Sequence, residues 1–260
     1  MAKRKTGELR KHESYLIAPQ KQQTKTFYMN DSKTIPFERP NKYQNRSREV
    51  ELVPKTLNQE KYILALLDKL TDVVVVTGPA GTGKTYLAMK AAIKSLKSGE
   101  CSKIILTRPM IEVEDEKLGF LPGDINQKME PWMLPLYDVF HEFYSIAEVQ
   151  GMIENNMIEI APLSFMRGRT FKNAFIVLDE GQNATPNQIK MLLTRIGENS
   201  KIIITGDIEQ TDRRNSKNGL LDLQERIKRN PITGLKLCQF ELSDVQRHQL
   251  IEHILKMYAA

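Results

Sequence analysis

The chain is poor in cysteine, has a single tryptophan and lacks any long apolar run. Its two cysteines, Cys101 and Cys238, stand far apart in 260 residues. They are too few for a disulfide framework or a thiolate zinc site and read as buried, inert thiols. No stretch approaches the roughly 18–20 consecutive apolar residues of a membrane helix, and the N-terminus lacks the apolar segment of a signal peptide. A soluble, cytoplasmic protein without membrane contact is expected. The four histidines, His12, His141, His248 and His253, have no metal-ligand spacing, and no Ser-His-Asp or Cys-His constellation stands out.

Charge is plentiful and unevenly placed. Residues 1–55 hold 13 Lys+Arg against 6 Asp+Glu, a net of +7, which leaves 25 basic and 26 acidic residues, a net of −1, for 56–260. A basic arm of this kind either grips phosphates through counterion release or serves as a solvated extension. Residues 1–52 mix Lys, Gln, Asn, Thr and Pro with no sustained apolar period, so they read as a basic, partly disordered N-terminal extension. Residues 53–260 read as the folded domain.

Within that domain, Thr56-Leu57-Asn58-Gln59 resembles a capping box and leads into Tyr62, Ile63, Leu66, Leu67 and Leu70 at helical spacing. A first helix is predicted over 57–70. Val73-Val74-Val75-Val76 is a continuous β-branched run of the kind buried on both faces of a parallel sheet. An alanine-rich helix is predicted over 84–97, and further strands at Lys103–Thr107, Ala174–Leu178, Lys201–Thr205 and Leu235–Phe240, with helical stretches between most of them. Alternating strands and helices predict an α/β fold with a doubly wound, mostly parallel sheet. Its ligand belongs at the C-terminal ends of the strands.

Gly78-Pro79-Ala80-Gly81-Thr82-Gly83-Lys84-Thr85 matches the phosphate-loop pattern between a strand and a helix, the context that confirms it. Backbone N–H groups wrap a phosphate chain only where few Cβ atoms crowd them, and the helix N-terminus adds a favourable field. Lys84 is expected on the β- and γ-phosphates and the Thr85 hydroxyl on Mg²⁺. The nucleotide-binding set runs from Gly78 through Tyr86. The apolar strand Phe175–Leu178 ends in Asp179 and Glu180: Asp179 is expected to hold the metal, directly or through water, and Glu180 to orient or deprotonate the attacking water. The strand Ile202-Ile203-Ile204-Thr205 runs into Gly206-Asp207-Ile208-Glu209-Gln210, where Asp207 and Gln210 are candidate sensors of the γ-phosphate.

Residues 78–85, Asp179-Glu180-Gly181-Gln182 and Gly206–Gln210 together resemble motifs I, II and III of superfamily 1 helicases. More closely, the chain resembles the PhoH family of P-loop ATPases. Further support comes from Thr107-Arg108-Pro109, Leu118-Gly119-Phe120-Leu121-Pro122-Gly123-Asp124, Pro135-Leu136-Tyr137-Asp138, Arg167-Gly168-Arg169-Thr170-Phe171 and Leu193-Thr194-Arg195-Ile196-Gly197, spread over about 55–257. The resemblance implies a RecA-like ATPase domain that uses ATP and Mg²⁺ and is associated with RNA or single-stranded DNA. By similarity to superfamily 1, Gln59 contacts adenine; its other reading is the capping-box partner of Thr56. The acidic run Glu112-Val113-Glu114-Asp115-Glu116 departs from the family pattern.

One phosphate loop leaves the ATP site without the arginine that a second lobe supplies in superfamily 1. Supplied from a neighbouring copy, that arginine implies a head-to-tail homo-oligomer, and contacts that close make a ring, here expected to be a hexamer. Arg247 matches the family's C-terminal arginine and is the first candidate, with an exposed arginine near a helix start as the alternative. Arg167 and Arg169 are further candidates. With Arg108 they are also candidates for nucleic-acid contact, while pairing of Arg167 and Arg169 to the acidic run competes with that role. The segment Pro131–Tyr137 reads as core or subunit interface rather than a base-stacking platform. A slow nucleotide-dependent switch or scaffold is the alternative to a motor. Glu180 beside Asp179 favours water over a hydroxyl acceptor and argues against a small-molecule kinase.

Overall fold

The computed structural model describes residues 49–110, 134–211, 217–246 and 257. The N-terminal extension to residue 48, the acidic run 112–116, the Leu118–Asp124 motif and Arg247 lie outside the described residues.

Six strands form a single sheet: β1 (Val73–Thr77), β2 (Lys103–Thr107), β3 (Ile158–Ile160), β4 (Ala174–Leu178), β5 (Lys201–Gly206) and β6 (Leu235–Gln239). Their order is β3-β2-β4-β5-β1-β6, and each pairing is parallel. The helices are α1 (Leu57–Leu67), α2 (Lys84–Lys97), α3 (134–141), α4 (Ile146–Glu154), α5 (Pro186–Leu193) and α6 (Gly219–Arg229). The period-2 alternation of strand side chains explains why the valine run is unbroken. Val74 and Val76 point into one core, with Ile104, Leu106, Phe175, Val177 and Ile203, beneath Tyr62 of α1, Ala88 and Ile93 of α2, and Leu136 and Phe140 of α3. Val73 and Val75 point into a second core, with Ile105, Ile176, Leu178, Ile202 and Ile204, beneath Ile189 of α5 and Leu220 of α6. A sheet covered on both faces is doubly wound, as the strand-helix alternation predicts.

The ends of α1, β5 and β6 and two whole elements differ from the sequence-based expectation, β5 running one residue further, through Gly206. Helix α1 ends at Leu67 rather than residue 70. There the Asp68 carboxylate accepts from the Leu70 amide and the Thr71 hydroxyl, while Lys201 Nζ donates to the carbonyls of Leu66 and Asp68. These groups satisfy the last turn and leave Leu70 83% exposed. Strand β6 stops at Gln239, and Phe240 turns in to stack edge-on against Tyr62. Strand β3, three residues on the sheet edge, was not expected, nor was α4, which Ser145 and Glu148 start as a capping box. In the described part of the Pro131–Tyr137 segment, Leu136 is buried and Leu134 exposed, the pattern of a core helix. Trp132 lies outside the described residues.

Burial pushes the Cys238 thiol up to about 11 and also raises that of Cys101. The thiolate is the reactive form. At pH 8, alkylation of the folded protein is therefore expected to run on the order of 100-fold slower than that of the urea-unfolded chain. Labelling of both cysteines at the unfolded rate would contradict this packing.

Candidate active site

The phosphate loop leaves β1 at Gly78 and enters α2 at Lys84. Gly78 adopts φ +148°, and a Cβ there would lie 2.6 Å from the Phe240 carbonyl oxygen, so the loop passes β6 only without a side chain. Gly83 caps α2 with a left-handed φ of 82°, which turns the first amides of the helix toward the loop. Thr82 Oγ1 donates to the Pro79 carbonyl and pins the loop internally. Lys84, 8% exposed, donates from Nζ to the Gly78 and Pro79 carbonyls, both at 2.7 Å. Tyr62 Oη donates to the Lys84 carbonyl from beneath.

Gln59 is fixed against this loop. Its Nε2 donates to the Thr82 carbonyl at 3.1 Å, and its Oε1 accepts from the Lys55 amide at 2.7 Å. Thr56 caps α1 as its position suggested, accepting from the Gln59 amide, but the Gln59 side chain does not return to Thr56. The half of the capping box expected from Gln59 is spent on holding the loop. The amide of Gln246, the residue before Arg247, donates to the Gly81 carbonyl at 2.9 Å.

At the end of β4 the Asp179 carboxylate is almost wholly buried, 3% exposed for the residue. Its Oδ1 accepts from the hydroxyls of Thr85 and Thr205, both at 2.7 Å. Its Oδ2 accepts from Arg108 Nε at 2.9 Å and also from Nη2. This oxygen-only set, one carboxylate beside two hydroxyls, fits a hard divalent cation such as Mg²⁺, which takes few protein oxygens and completes its shell from phosphates and water. Thr85 and Asp179 are therefore brought together as the sequence implied. Arg108 is not in the position expected of a nucleic-acid contact. Its guanidinium reaches inward to the carboxylate, because a buried carboxylate needs a counter-charge and the C-terminal end of β2 puts this cation beside it.

Glu180 has a left-handed backbone, φ 55° and ψ 42°, which swings its side chain away from Asp179 at the start of the short 3₁₀ turn Gly181–Asn183. Gln182, 2% exposed, was not singled out from sequence except as part of the motif. Its Nε2 donates to Glu180 Oε2 at 2.5 Å, and its Oε1 accepts from the Asp207 amide at 3.1 Å. A side chain at Gly206 would collide with this Gln182 oxygen and with Leu220, so the glycine that ends β5 is what lets the bridge pass. Gln182 thus ties Glu180 to the turn at Asp207, where Asp207 Oδ1 accepts from the Glu209 amide.

These groups share one open cavity of about 280 Å³. Ala80, Gly81, Gly83, Lys84, Thr85 and Tyr86 line one side; Asp179, Glu180, Gly206, Asp207 and Gln210 line the other. Tyr86 is half-exposed, and its hydroxyl donates to Glu142 of the segment after α3. Of the expected residues, Gln59 touches the loop from behind rather than the cavity. Arg169 is committed elsewhere: both its terminal nitrogens donate to Glu159, holding that carboxyl below its usual range, and its guanidinium sits over the Phe171 ring. The partner of Arg169 is thus a carboxylate of β3. Arg167 is exposed, and Arg247 lies outside the described residues.

The sequence matches those of known proteins. The PhoH-like protein family matches residues 51–259. A PhoH-like protein of Synechocystis is 46% identical over 214 residues, which make up 82% of this chain and 64% of that protein. A PhoH-like protein of Bacillus subtilis is 47% identical over 205 residues, 78% of this chain and 63% of that protein. The protein PhoH of Escherichia coli is 40% identical over 204 residues, 77% and 56%. The chain thus spans a little under two thirds of the length of these relatives. Among solved structures, the Pif1 helicase of Candida albicans superposes with a TM-score of 0.38 at 13% identity, over 79% of this chain and 44% of that one.

A cation held by Asp179 would compete with Arg108 for the same carboxylate. Replacing Arg108 with alanine should lower the melting temperature of the nucleotide-free protein, because a buried charge loses its partner. In a Mn²⁺ titration of the protein with a non-hydrolysable ATP analogue, the variant should bind the metal about tenfold more tightly, ~1.4 kcal/mol. Weaker metal binding by the variant would mean that Arg108 positions Asp179 for the metal instead of opposing it.

Proposed function

This chain belongs to the PhoH family, and on that premise we propose that it is a Mg²⁺-dependent ATPase that couples hydrolysis to binding or remodelling of RNA or single-stranded DNA, acting as a homo-oligomeric ring of six copies. The observation that carries the reading is the convergence of Lys84, Thr85, Asp179, Glu180 and Gln210 on one cavity at the C-terminal ends of β1, β4 and β5.

In the proposed reaction the amides of the loop and Lys84 receive the triphosphate, whose oxygens replace the Gly78 and Pro79 carbonyls around Nζ. Thr85 and Asp179 are the residues that would hold Mg²⁺, which when bound neutralises charge on the β- and γ-phosphate oxygens. Glu180, steadied by Gln182, aligns a water and takes its proton as the water oxygen bonds to the γ-phosphorus and the bond to the β-bridging oxygen breaks. The electron pair leaves on ADP. Gln182 links Glu180 to the Asp207 turn, so loss of the γ-phosphate at Gln210 and Asp207 is felt by the base through one side chain. Among the described residues no arginine lines the cavity, and in the ring a neighbour supplies one to the developing charge, with Arg247 the first candidate. The basic N-terminal extension, +7 over residues 1–55, adds non-specific attraction for a polyanion.

ATP turnover should depend on Mg²⁺, rise with added oligonucleotide and increase faster than linearly with protein concentration. Lys84→Ala should abolish nucleotide binding, whereas Glu180→Gln should retain it and lose turnover by at least about 100-fold. Turnover that ignores nucleic acid and scales linearly with concentration would replace the motor by a slow nucleotide-dependent switch. Full activity of Glu180→Gln would remove the general base from the account.

A further inference from the structure

A second cavity, about 450 Å³, opens on the same end of the sheet between the 3₁₀ turn Leu163–Met166 and the start of α5. Ser164, Arg167, Thr185, Asn187, Gln188 and Met191 line it. Its volume is within the roughly 300–1,000 Å³ range of small-ligand sites. No carboxylate is among these six residues, and Arg167 gives the cavity a positive charge.

The polar groups facing it are unspent. Among the described residues, the Ser164 hydroxyl, the Arg167 guanidinium and the Asn187 amide have no hydrogen-bond partner. Gln188 uses its Oε1 on the Thr185 amide and hydroxyl, which leaves its Nε2 as a donor. The backbone end of α5 is already satisfied, since Thr185 Oγ1 accepts from the Gln188 amide; the available groups are therefore side chains. Arg169, two residues from Arg167, is locked to Glu159, so the two arginines of this segment are not equivalent. Phe165, which stands between the lining residues Ser164 and Arg167 in the chain but is not itself part of the lining, is 51% exposed, although Leu163 and Met166 of the same turn are fully buried. An aromatic side chain, one unpaired guanidinium and a set of amide and hydroxyl groups, contributed by the Leu163–Met166 turn and the first turn of α5, are the elements that hold an unstacked nucleotide: a surface for the base, a cation for the phosphate, and hydrogen-bonding groups for base edge or sugar.

We propose that this cavity and the exposed Phe165 on the turn that borders it form a single-stranded nucleic-acid site, in which Phe165 stacks on a base, Arg167 pairs with the adjacent phosphate, and Ser164, Asn187 and Gln188 contact base edge or sugar. The inference rests on the nucleic-acid reading above and gives it a location. The site also has a short route to the ATP cavity: Thr185, the N-cap of α5, follows the Gly181–Asn183 turn that begins at Glu180 and carries Gln182. A strand seated between the turn and α5 therefore bears on the segment that places the catalytic base.

The test is fluorescence anisotropy of labelled oligo(U) and oligo(dT) with the full chain, across a salt series. Phe165→Ala should weaken binding by about 5- to 100-fold, the range for loss of one stacked base. Arg167→Ala should also weaken it and reduce the slope of log affinity against log salt by about one, whereas Arg167→Lys should keep that slope. Asn187→Asp puts a negative charge in the first turn of α5, where it favours the helix, so its melting temperature should not fall while its nucleic-acid affinity does. Binding by the wild type that none of these changes weakens would overturn the site and leave the proposed function standing; it is also the result expected if the cavity receives a protein instead. No binding of either oligonucleotide by the wild type would overturn both. Stronger weakening with oligo(U) than with oligo(dT) would assign the sugar contact to the 2′-hydroxyl, and equal weakening would assign it to phosphate and base; either supports the site.

Discussion

The architecture of the site depends on how one buried carboxylate is satisfied. Asp179 accepts from Thr85 at the start of α2, Thr205 near the end of β5 and Arg108 at the end of β2, so elements far apart in sequence meet on two oxygen atoms. An unpaired carboxylate at 3% exposure would be costly, and each of these contacts offsets that cost while fixing an element in place. The same atoms are what a magnesium ion requires. In the proposed reaction, structure and chemistry therefore draw on a single group, and a cation bound there would compete with its present partners. Arg108 is the partner that a cation repels.

A similar economy governs the lysine. Lys84 is held by carbonyls of its own loop until phosphate oxygens compete for it, so the loop keeps its shape and its charge is already oriented. Preorganisation of this kind lowers the reorganisation needed when the substrate arrives. Gln182 extends the principle across the site, because both ends of one amide are engaged and the backbone of Gly206 leaves it room.

Much of this was legible in the residues, for reasons that differ by element. Helix α2 runs over 84–97 as read, because the phosphate loop fixes its start and an alanine-rich face its continuation. Strands β1, β2 and β4 match because runs of four or five apolar residues admit few alternatives in a sheet covered on both faces. Strand β3 escaped because three residues on an edge carry no usable period. The end of α1 was overrun since its leucines keep helical spacing through Leu70, and the side chains that stop it, Asp68 and the distant Lys201, act through hydrogen bonds that spacing does not reveal. Long-range partners were likewise invisible: Arg108 reads as a candidate for nucleic-acid contact until the fold brings it to Asp179, Arg169 likewise until it meets Glu159, and Gln59 as an adenine contact or a capping-box partner until Thr82 arrives beside it. Motifs name the groups that meet substrate. What those groups hold onto otherwise depends on the tertiary structure.

The claim that the site turns on the Asp179 carboxylate is tested most directly by Asp179→Asn, a change that keeps the side chain's size and removes its charge. Calorimetric binding of ATP with and without Mg²⁺ would be measured beside the wild type. The account predicts that the wild type binds ATP more tightly when Mg²⁺ is present and that the variant loses this difference, with a lowered melting temperature as the ion pair between Arg108 and residue 179 is lost. An asparagine variant that keeps the full Mg²⁺ effect would contradict it and require the metal to be held elsewhere.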